Sequence, residues 1–200
     1  MDWATPSIRC CTANSISPFV RVPDLGRELP DELEHRLIRL EPLVALLPPE
    51  HPLAGGDAIR MADLRAEGSW LPSLAGPAER LAFPRRMSES LKVPLDESGV
   101  SYDLRHTLEQ TRHGRRRVTL AGADTELAAD LNLRVLPFES APLFAWSAVW
   151  RKDNRHPALA RLLALAGRTS RAESWCAYDP ARHWVPEGDL VTPGEAGTTR

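Results

Sequence analysis

Apolar residues are packed most densely between Leu40 and Ala54, which reads Leu-Glu-Pro-Leu-Val-Ala-Leu-Leu-Pro-Pro-Glu-His-Pro-Leu-Ala. Leu43 to Leu47 form an unbroken apolar run fenced by Pro42 on one side and Pro48-Pro49 on the other. Such a run is too short for a helix and fits a strand covered on both faces. Strands of that kind belong to parallel sheets, so a central parallel strand is expected here, followed by a loop at Gly55-Gly56. Just upstream, Arg36 to Leu40 alternates apolar and basic side chains, as a half-exposed strand leading into the buried one does.

The remaining pattern alternates strand-like and helix-like pieces. Met61 to Ala66 predicts a short helix ended by Gly68, and Ser69 to Pro72 a short strand. Pro77 opens a helix over 77–91 that Pro84 should break or kink. Asp96 to Gly99 reads as a turn and Val100 as part of a further strand. Asp103 to His113 has helix composition, with Leu104 and Leu108 on one face and Gly114 just past its end. Val118 to Ala121 is a strand stopped by Gly122; Arg134 to Phe138 and Leu143 to Trp150 are extended; Ala158 to Ala166 is a helix with Leu159, Leu162, Leu163 and Ala166 along one side. Residues 1–18 have no period and read as a loose lead-in, Phe19 to Val22 as a strand end, and 24–34 as an acidic surface loop. From Gly167 onward a polar, flexible tail is expected, pinned by Trp175 and Trp184. Strands alternating with helices predict an α/β fold with a Rossmann-like, mostly parallel sheet.

Composition narrows the class without naming a chemistry. Two hundred residues, 42% hydrophobic and 26% charged, are enough for one or two domains with a sizeable core. The formal net charge of -2 gives no reason to expect a nucleic-acid or membrane partner. Only Lys92 and Lys152 are lysines among the 25 basic residues, so a single arginine is weak evidence in this chain. Cys10, Cys11 and Cys176 are odd in number and lack C-x-x-C spacing, which argues against a disulfide framework or zinc site and for a reducing compartment. Neither a signal peptide nor a membrane span is legible, and a cytoplasmic protein without cofactor is expected.

Catalytic motifs are scarce: G-x-S-x-G, G-x-x-x-x-G-K-[ST], H-E-x-x-H and G-x-G-x-x-G are all missing. Glu32 with His35, and His106 with Glu109 and His113, have spacings a metal could use, but solvated surfaces explain them as well. His51 and His156 precede prolines and are expected to set turns, His156 as a helix cap. Arg115-Arg116-Arg117 reads either as an anion contact or as a solvated turn, and Trp146 and Trp150 as core. Better candidates come from the rule that ligands sit beyond the carboxyl ends of parallel strands. Those ends carry Pro72-Ser73, Thr119 to Gly122, and Arg21: hydroxyls that donate and accept, and a guanidinium fork for a carboxylate. Ser73, Pro72, Thr119, Gly122 and Arg21 are the expected effector contacts.

The His51-Pro52-Leu53-Ala54 turn after the buried run resembles the effector-binding domain of LysR-type transcriptional regulators. Met61 to Leu64, Val135-Leu136-Pro137, Trp150-Arg151 and His156-Pro157-Ala158-Leu159 extend that resemblance over roughly residues 19–170. It implies two Rossmann-like lobes of a periplasmic-binding-protein-like domain, with a small-molecule effector between them. On that analogy residues 41–136 are a complete second lobe, and 19–40 with 137–166 a partial first lobe. The family's helix-turn-helix has no counterpart in the 40 residues before the buried strand, so a truncated sensor without its own DNA contact is expected. Where the family often carries Val-x-x-Gly-x-Gly, this chain reads Arg112-His113-Gly114-Arg115-Arg116-Arg117, so effector identity does not transfer. If the first lobe lacks its opening strands, Leu143 to Trp150 must pack on Phe19-Val20 and Arg36 to Leu40, or mediate self-association. Two other readings stand beside this one: an interaction protein that pairs with an intact LysR-type regulator, and a small cytosolic α/β enzyme using His106, His113 or His51.

Overall fold

The computed structural model describes residues 19–22, 29–74, 82–114 and 117–190. The chain forms two compact units: residues 1–41, 144–178 and 187–200 make the first, and 42–143 with 179–186 the second. Two long strands belong to both. β2 (Leu33–Leu47) leaves the first unit after Glu41, and β9 (Ala141–Arg151) enters it at Phe144. Pro42 is the first residue of the second unit, and lacking an N–H it cannot donate a ladder bond there. Its carbonyl still accepts from the Ala123 N–H at 2.8 Å.

In the second unit the apolar run is a strand, as expected, with a neighbour on each side. Leu43 to Leu46 pair with β7 (Thr119–Gly122), and Val44 to Leu47 with β8 (Arg134–Pro137). Both pairings are antiparallel, which corrects the expected mostly parallel sheet. An unbroken apolar run reports burial on both faces and carries no information on neighbour direction; here antiparallel neighbours are covered on both sides instead of one. One face packs with Ala45, Leu47, Ile59, Leu64, Val93, Val118, Leu136 and Phe138, the other places Leu46 against Leu108 and Leu131.

Parallel pairing does occur in this unit, in short pieces. β3 (Ser69–Trp70) pairs with β5 (Leu95–Asp96), and β4 (Ser73–Leu74) with β6 (Val100–Ser101). The chain between them passes through helix α2 (Ala82–Leu91), the crossover that a parallel connection needs. Pro84 does not interrupt α2, because it falls in the first turn, where an N–H has no intrahelical acceptor. Residues 77–81 of the expected helix lie outside the described residues. Helix α1 (Met61–Glu67) ends at Gly68, whose φ of 80° and the 3.1 Å between an added Cβ and the Pro94 carbonyl both require glycine. Helix α3 (Leu104–His113) is capped by the Asp103 carboxylate, which accepts from the His106 N–H at 2.7 Å. Its buried positions are Thr107, Leu108 and Thr111; Leu104 is exposed, so the expected Leu104–Leu108 face is not the one that packs.

In the first unit, β9 runs between β1 (Phe19–Val20) and β2, with Phe19 opposite Ala148 and Val20 opposite Ser147. Leu143 to Trp150 therefore finds the neighbours expected for it. Helix α4 (Pro157–Ala172) covers this sheet through Leu159, Leu163 and Ala166, against Ile38, Ala148 and Trp150. His156 caps α4, its Nδ1 accepting from the Ala158 N–H at 3.1 Å, with Pro157 opening the first turn as its fixed φ favours. The helix passes through Gly167 to Ala172, so the expected tail starts later. Trp175 then packs beside α4, and in the second unit β10 (His183–Trp184) lies parallel to the start of β9, with Trp184 edge-on to Phe83 at 6.0 Å. Packing of these apolar faces outweighs the helix-lowering glycine and the polar composition of the segment.

His35 on β2 is half-buried, its Nδ1 has no hydrogen-bond partner, and burial lowers its pKa from 6.5. Below that value the unfolded chain takes up a proton that the folded one resists, so His35 costs stability as pH falls through 6.5 and below. His35→Gln should flatten this part of the acid decline; urea midpoints measured across the window test it, and parallel wild-type and variant curves would contradict it.

Candidate functional site

Of the strand-end residues named from the sequence, Thr119 meets α3 in the second unit. Thr119, at the start of β7, is almost fully buried; its Oγ1 donates to the Trp70 carbonyl at 3.1 Å and shares a hydrogen with Thr111 Oγ1 at 2.8 Å. Thr111 Oγ1 also bonds the Thr107 carbonyl at 3.0 Å, and Thr107 Oγ1 meets Ser101 Oγ at 2.6 Å. Ser101 in turn donates to the Asp103 carbonyl at 2.8 Å. The result is a chain of buried hydroxyls along one face of α3, joining β3, β6 and β7. Each hydroxyl has one hydrogen, so with Thr119 donating to Trp70 and Ser101 to Asp103, Thr107 donates to Ser101, and Thr111 donates to Thr119 or to the Thr107 carbonyl.

Ser73 lies beside this chain in the backbone register, opposite Val100, with Leu74 opposite Ser101. Pro72 is fully buried between β3 and β4. Gly122 ends β7 opposite Leu43, and its carbonyl accepts from the Thr125 N–H at 3.0 Å in the turn that follows. Arg21 belongs to the first unit. Its guanidinium is buried and bonded through Nε to Asp189 at 2.9 Å and again through Nη2, with the Phe144 ring 5.8 Å away. Ser101, Thr107 and Thr111 were not singled out in the sequence. The legible signal was two threonines four apart, flanking Leu108 on a helix otherwise rich in polar residues.

A niche of about 200 Å³ opens at the edge of the same unit, lined by Ser69, Trp70, Asp96 and Arg117 among others. Arg117 stacks over Trp70 at 4.1 Å and donates to the Gln110 carbonyl at 3.2 Å, while the Trp70 indole N–H donates to the Ser98 carbonyl at 3.0 Å. Hydrogen bonds from Ser98 hold the Asp96 carboxyl below its ordinary value, with Arg117 adding to the effect. Arg115 and Arg116 of the arginine run lie outside the described residues.

The histidine candidates have local duties. His51 Nδ1 accepts from the Leu53 N–H at 3.1 Å within its turn, and His106 stacks on Tyr102 with centroids 5.1 Å apart. His35 lies in β2 and Glu32 in the turn before it, so the two do not share the single helix face that their spacing would need to form a ligand pair. Among the described residues no group of three or more His, Cys, Asp or Glu could hold a metal, and no helix is long and apolar enough to cross a membrane. Cys176 is a free thiol in contact with the Ile38 carbonyl at 3.3 Å; Cys10 and Cys11 lie outside the described residues.

Two units threaded by a pair of shared strands, with an α/β core in the second, define a fold similar to the periplasmic-binding-protein-like effector domains of transcription regulators. The model for the LysR substrate binding domain matches residues 24–171, and the chain belongs to that family. Solved structures agree on the fold. A protein of Pseudomonas aeruginosa assigned to the LysR family of transcriptional regulators is 17% identical with a TM-score of 0.61, over 83% of this chain and 57% of its own. An OxyR mutant from Porphyromonas gingivalis is 14% identical with a TM-score of 0.64, over 90% of this chain and 83% of its own. The BenM effector-binding domain, solved with its effector benzoate, is 14% identical with a TM-score of 0.66, over 90% and 80%. The chain thus spans little more than half the length of the first of these. No curated protein matches the sequence.

Thr119→Val should cost about 1–3 kcal/mol of stability by taking the hydroxyl donor from the Trp70 carbonyl and leaving Thr111 only its bond to the Thr107 carbonyl. The double variant Thr111→Val/Thr119→Val should cost less than the sum of the singles. Chemical denaturation of the four proteins measures both. Arg21→Ala, which leaves the Asp189 carboxylate buried without its guanidinium, should cost about 3–5 kcal/mol in the same assay.

Proposed function

We propose that the chain is the small-molecule effector-binding domain of a LysR-type transcriptional regulator, a ligand sensor and not an enzyme. The observation that carries this reading is the family match, which runs through both units instead of stopping at one. In it the first unit is a partial first lobe and the second a complete second lobe, with β2 and β9 as the passages between lobes. The effector is a small organic molecule whose differential affinity for two states of the domain shifts the population between them. Self-association or pairing with an intact regulator would carry that shift to DNA.

The proposed contacts in the second unit are Ser73, Pro72, Thr119 and Gly122; Arg21 is a separate proposed contact within the first. Thr119 and Arg21 also hold the fold, so their variants mix two effects. Ser73 gives the cleaner test. A thermal-shift screen of small metabolites should find a ligand that raises the melting midpoint, since binding at a hundredfold excess over Kd adds about 2.7 kcal/mol. Ser73→Ala should shrink that rise while leaving the ligand-free midpoint unchanged. An undiminished rise in Ser73→Ala would remove this residue from the contacts, and turnover of a ligand would overturn the sensor reading.

A further inference from the structure

Three strand starts meet at the niche beside Trp70 in the second unit: Gly68-Ser69 entering β3, Pro94-Leu95 entering β5, and Arg117-Val118 just before β7. Glycine at 68 lets the first two close up, with the Ser69 N–H donating to the Pro94 carbonyl at 2.8 Å. The space they enclose is about 200 Å³. At roughly 30 Å³ per water that is the room of about six or seven waters, and it suits a ligand of about as many heavy atoms. A drug-sized molecule, whose sites begin near ~300 Å³, does not fit.

Opposite charges line this space without neutralising each other. Arg117 lies over the Trp70 ring at 4.1 Å, and its Nη1 donates to the backbone and side-chain oxygens of Gln110 at 3.2 and 3.3 Å. Those contacts use one nitrogen. Among the described residues no acceptor meets Nε or Nη2, the side of the guanidinium whose parallel N–H groups match a carboxylate. Asp96 lines the same niche, its Oδ1 accepting from the Ser98 N–H at 2.8 Å. Hydrogen bonds from Ser98 keep this carboxyl below its ordinary range, so it is charged at neutral pH. Elsewhere the chain closes such pairs directly, as Arg60 with Asp63, Arg85 with Glu97 and Arg112 with Glu50. Arg117 and Asp96 form no ion pair, and the niche opens beside both. Glu67 adds a second negative charge to the lining.

We propose that this niche binds a small zwitterion, one carboxylate and one ammonium on a short body, with the carboxylate on Arg117 and the ammonium on Asp96. A ligand carrying only one of the two charges leaves the other protein group desolvated without a partner, so the niche discriminates against both half-matches. The niche shares no residue with Ser73, Pro72, Thr119, Gly122 or Arg21, so it stands or falls separately from the effector contacts proposed above.

Calorimetric titration of the full chain with alanine tests this, with propionate and ethylamine as matches that each keep one charge. Alanine should bind about tenfold or more tighter than either, and phenylalanine, too large for the space, more weakly than alanine. Arg117→Gln should weaken alanine about tenfold or more and leave ethylamine unchanged. Asp96→Asn, which keeps an oxygen for the Ser98 N–H, should weaken alanine and leave propionate unchanged. In two-dimensional NMR spectra, the indole N–H signal that Trp70→Phe removes should shift as alanine is added. Arg117→Gln also takes the cation from the Trp70 ring, so if it lowers the ligand-free melting midpoint, Asp96→Asn decides. Absence of alanine binding would overturn the proposal, as would propionate or ethylamine matching alanine in affinity, or Asp96→Asn titrations superimposing on wild type. So would a loss of alanine binding in Ser73→Ala, which would move the ligand to the effector contacts.

Discussion

The need to pair every backbone group of a strand buried on both faces shapes the second unit. Leu43 and Ala45 to Leu47 are buried and Val44 is half-buried, so the N–H and C=O groups of the run must be met chiefly by protein. β7 and β8 do this from either side, and their arrival fixes where α3 and the turn after β7 can lie. Pro42, without an N–H to give, stands where the chain changes unit, its carbonyl still accepting from Ala123. One strand thereby pairs with β7, β8 and β9 within a single six-stranded sheet.

A similar economy governs polar groups inside the fold. Thr107 and Thr111 face inward on α3, a poor choice for apolar burial, yet each hydroxyl is matched by another hydroxyl or a carbonyl. The chain of Ser101, Thr107, Thr111 and Thr119 ties one helix to three strands with directional bonds. A leucine at those positions would bury more apolar area and hold no particular register. In the first unit the buried pair of Arg21 with Asp189 plays the comparable part, anchoring the segment after β1 to the turn that precedes Leu190.

Membership of the LysR substrate-binding family gives these features a common setting. A sensing domain must hold its strand ends firmly while leaving some surface for a ligand. The second unit meets the first need with hydroxyl bonds behind the strand ends. Among the described residues, the first unit has an aromatic-lined trough beside α4.

Much of the element order was legible in the sequence for a local reason. Proline fences, the His156 cap and the Gly68 and Gly114 stops act on their own neighbours, so they can be read without coordinates. The His-Pro-Leu-Ala turn pointed to the family together with Met61 to Leu64, Val135 to Pro137, Trp150-Arg151 and His156 to Leu159. What needed the tertiary structure was every non-local fact. Strand direction was misread because a doubly covered strand looks the same whichever way its neighbours run. Leu104 was misplaced because helix phase is set by what packs against it, and Gly167 was taken for an end because its neighbours in space were unknown. The hydroxyl chain draws on residues from Ser101 to Thr119, and the trough on residues from Phe19 to Trp175; no sequence window holds either, since both exist only once distant strands have been brought side by side.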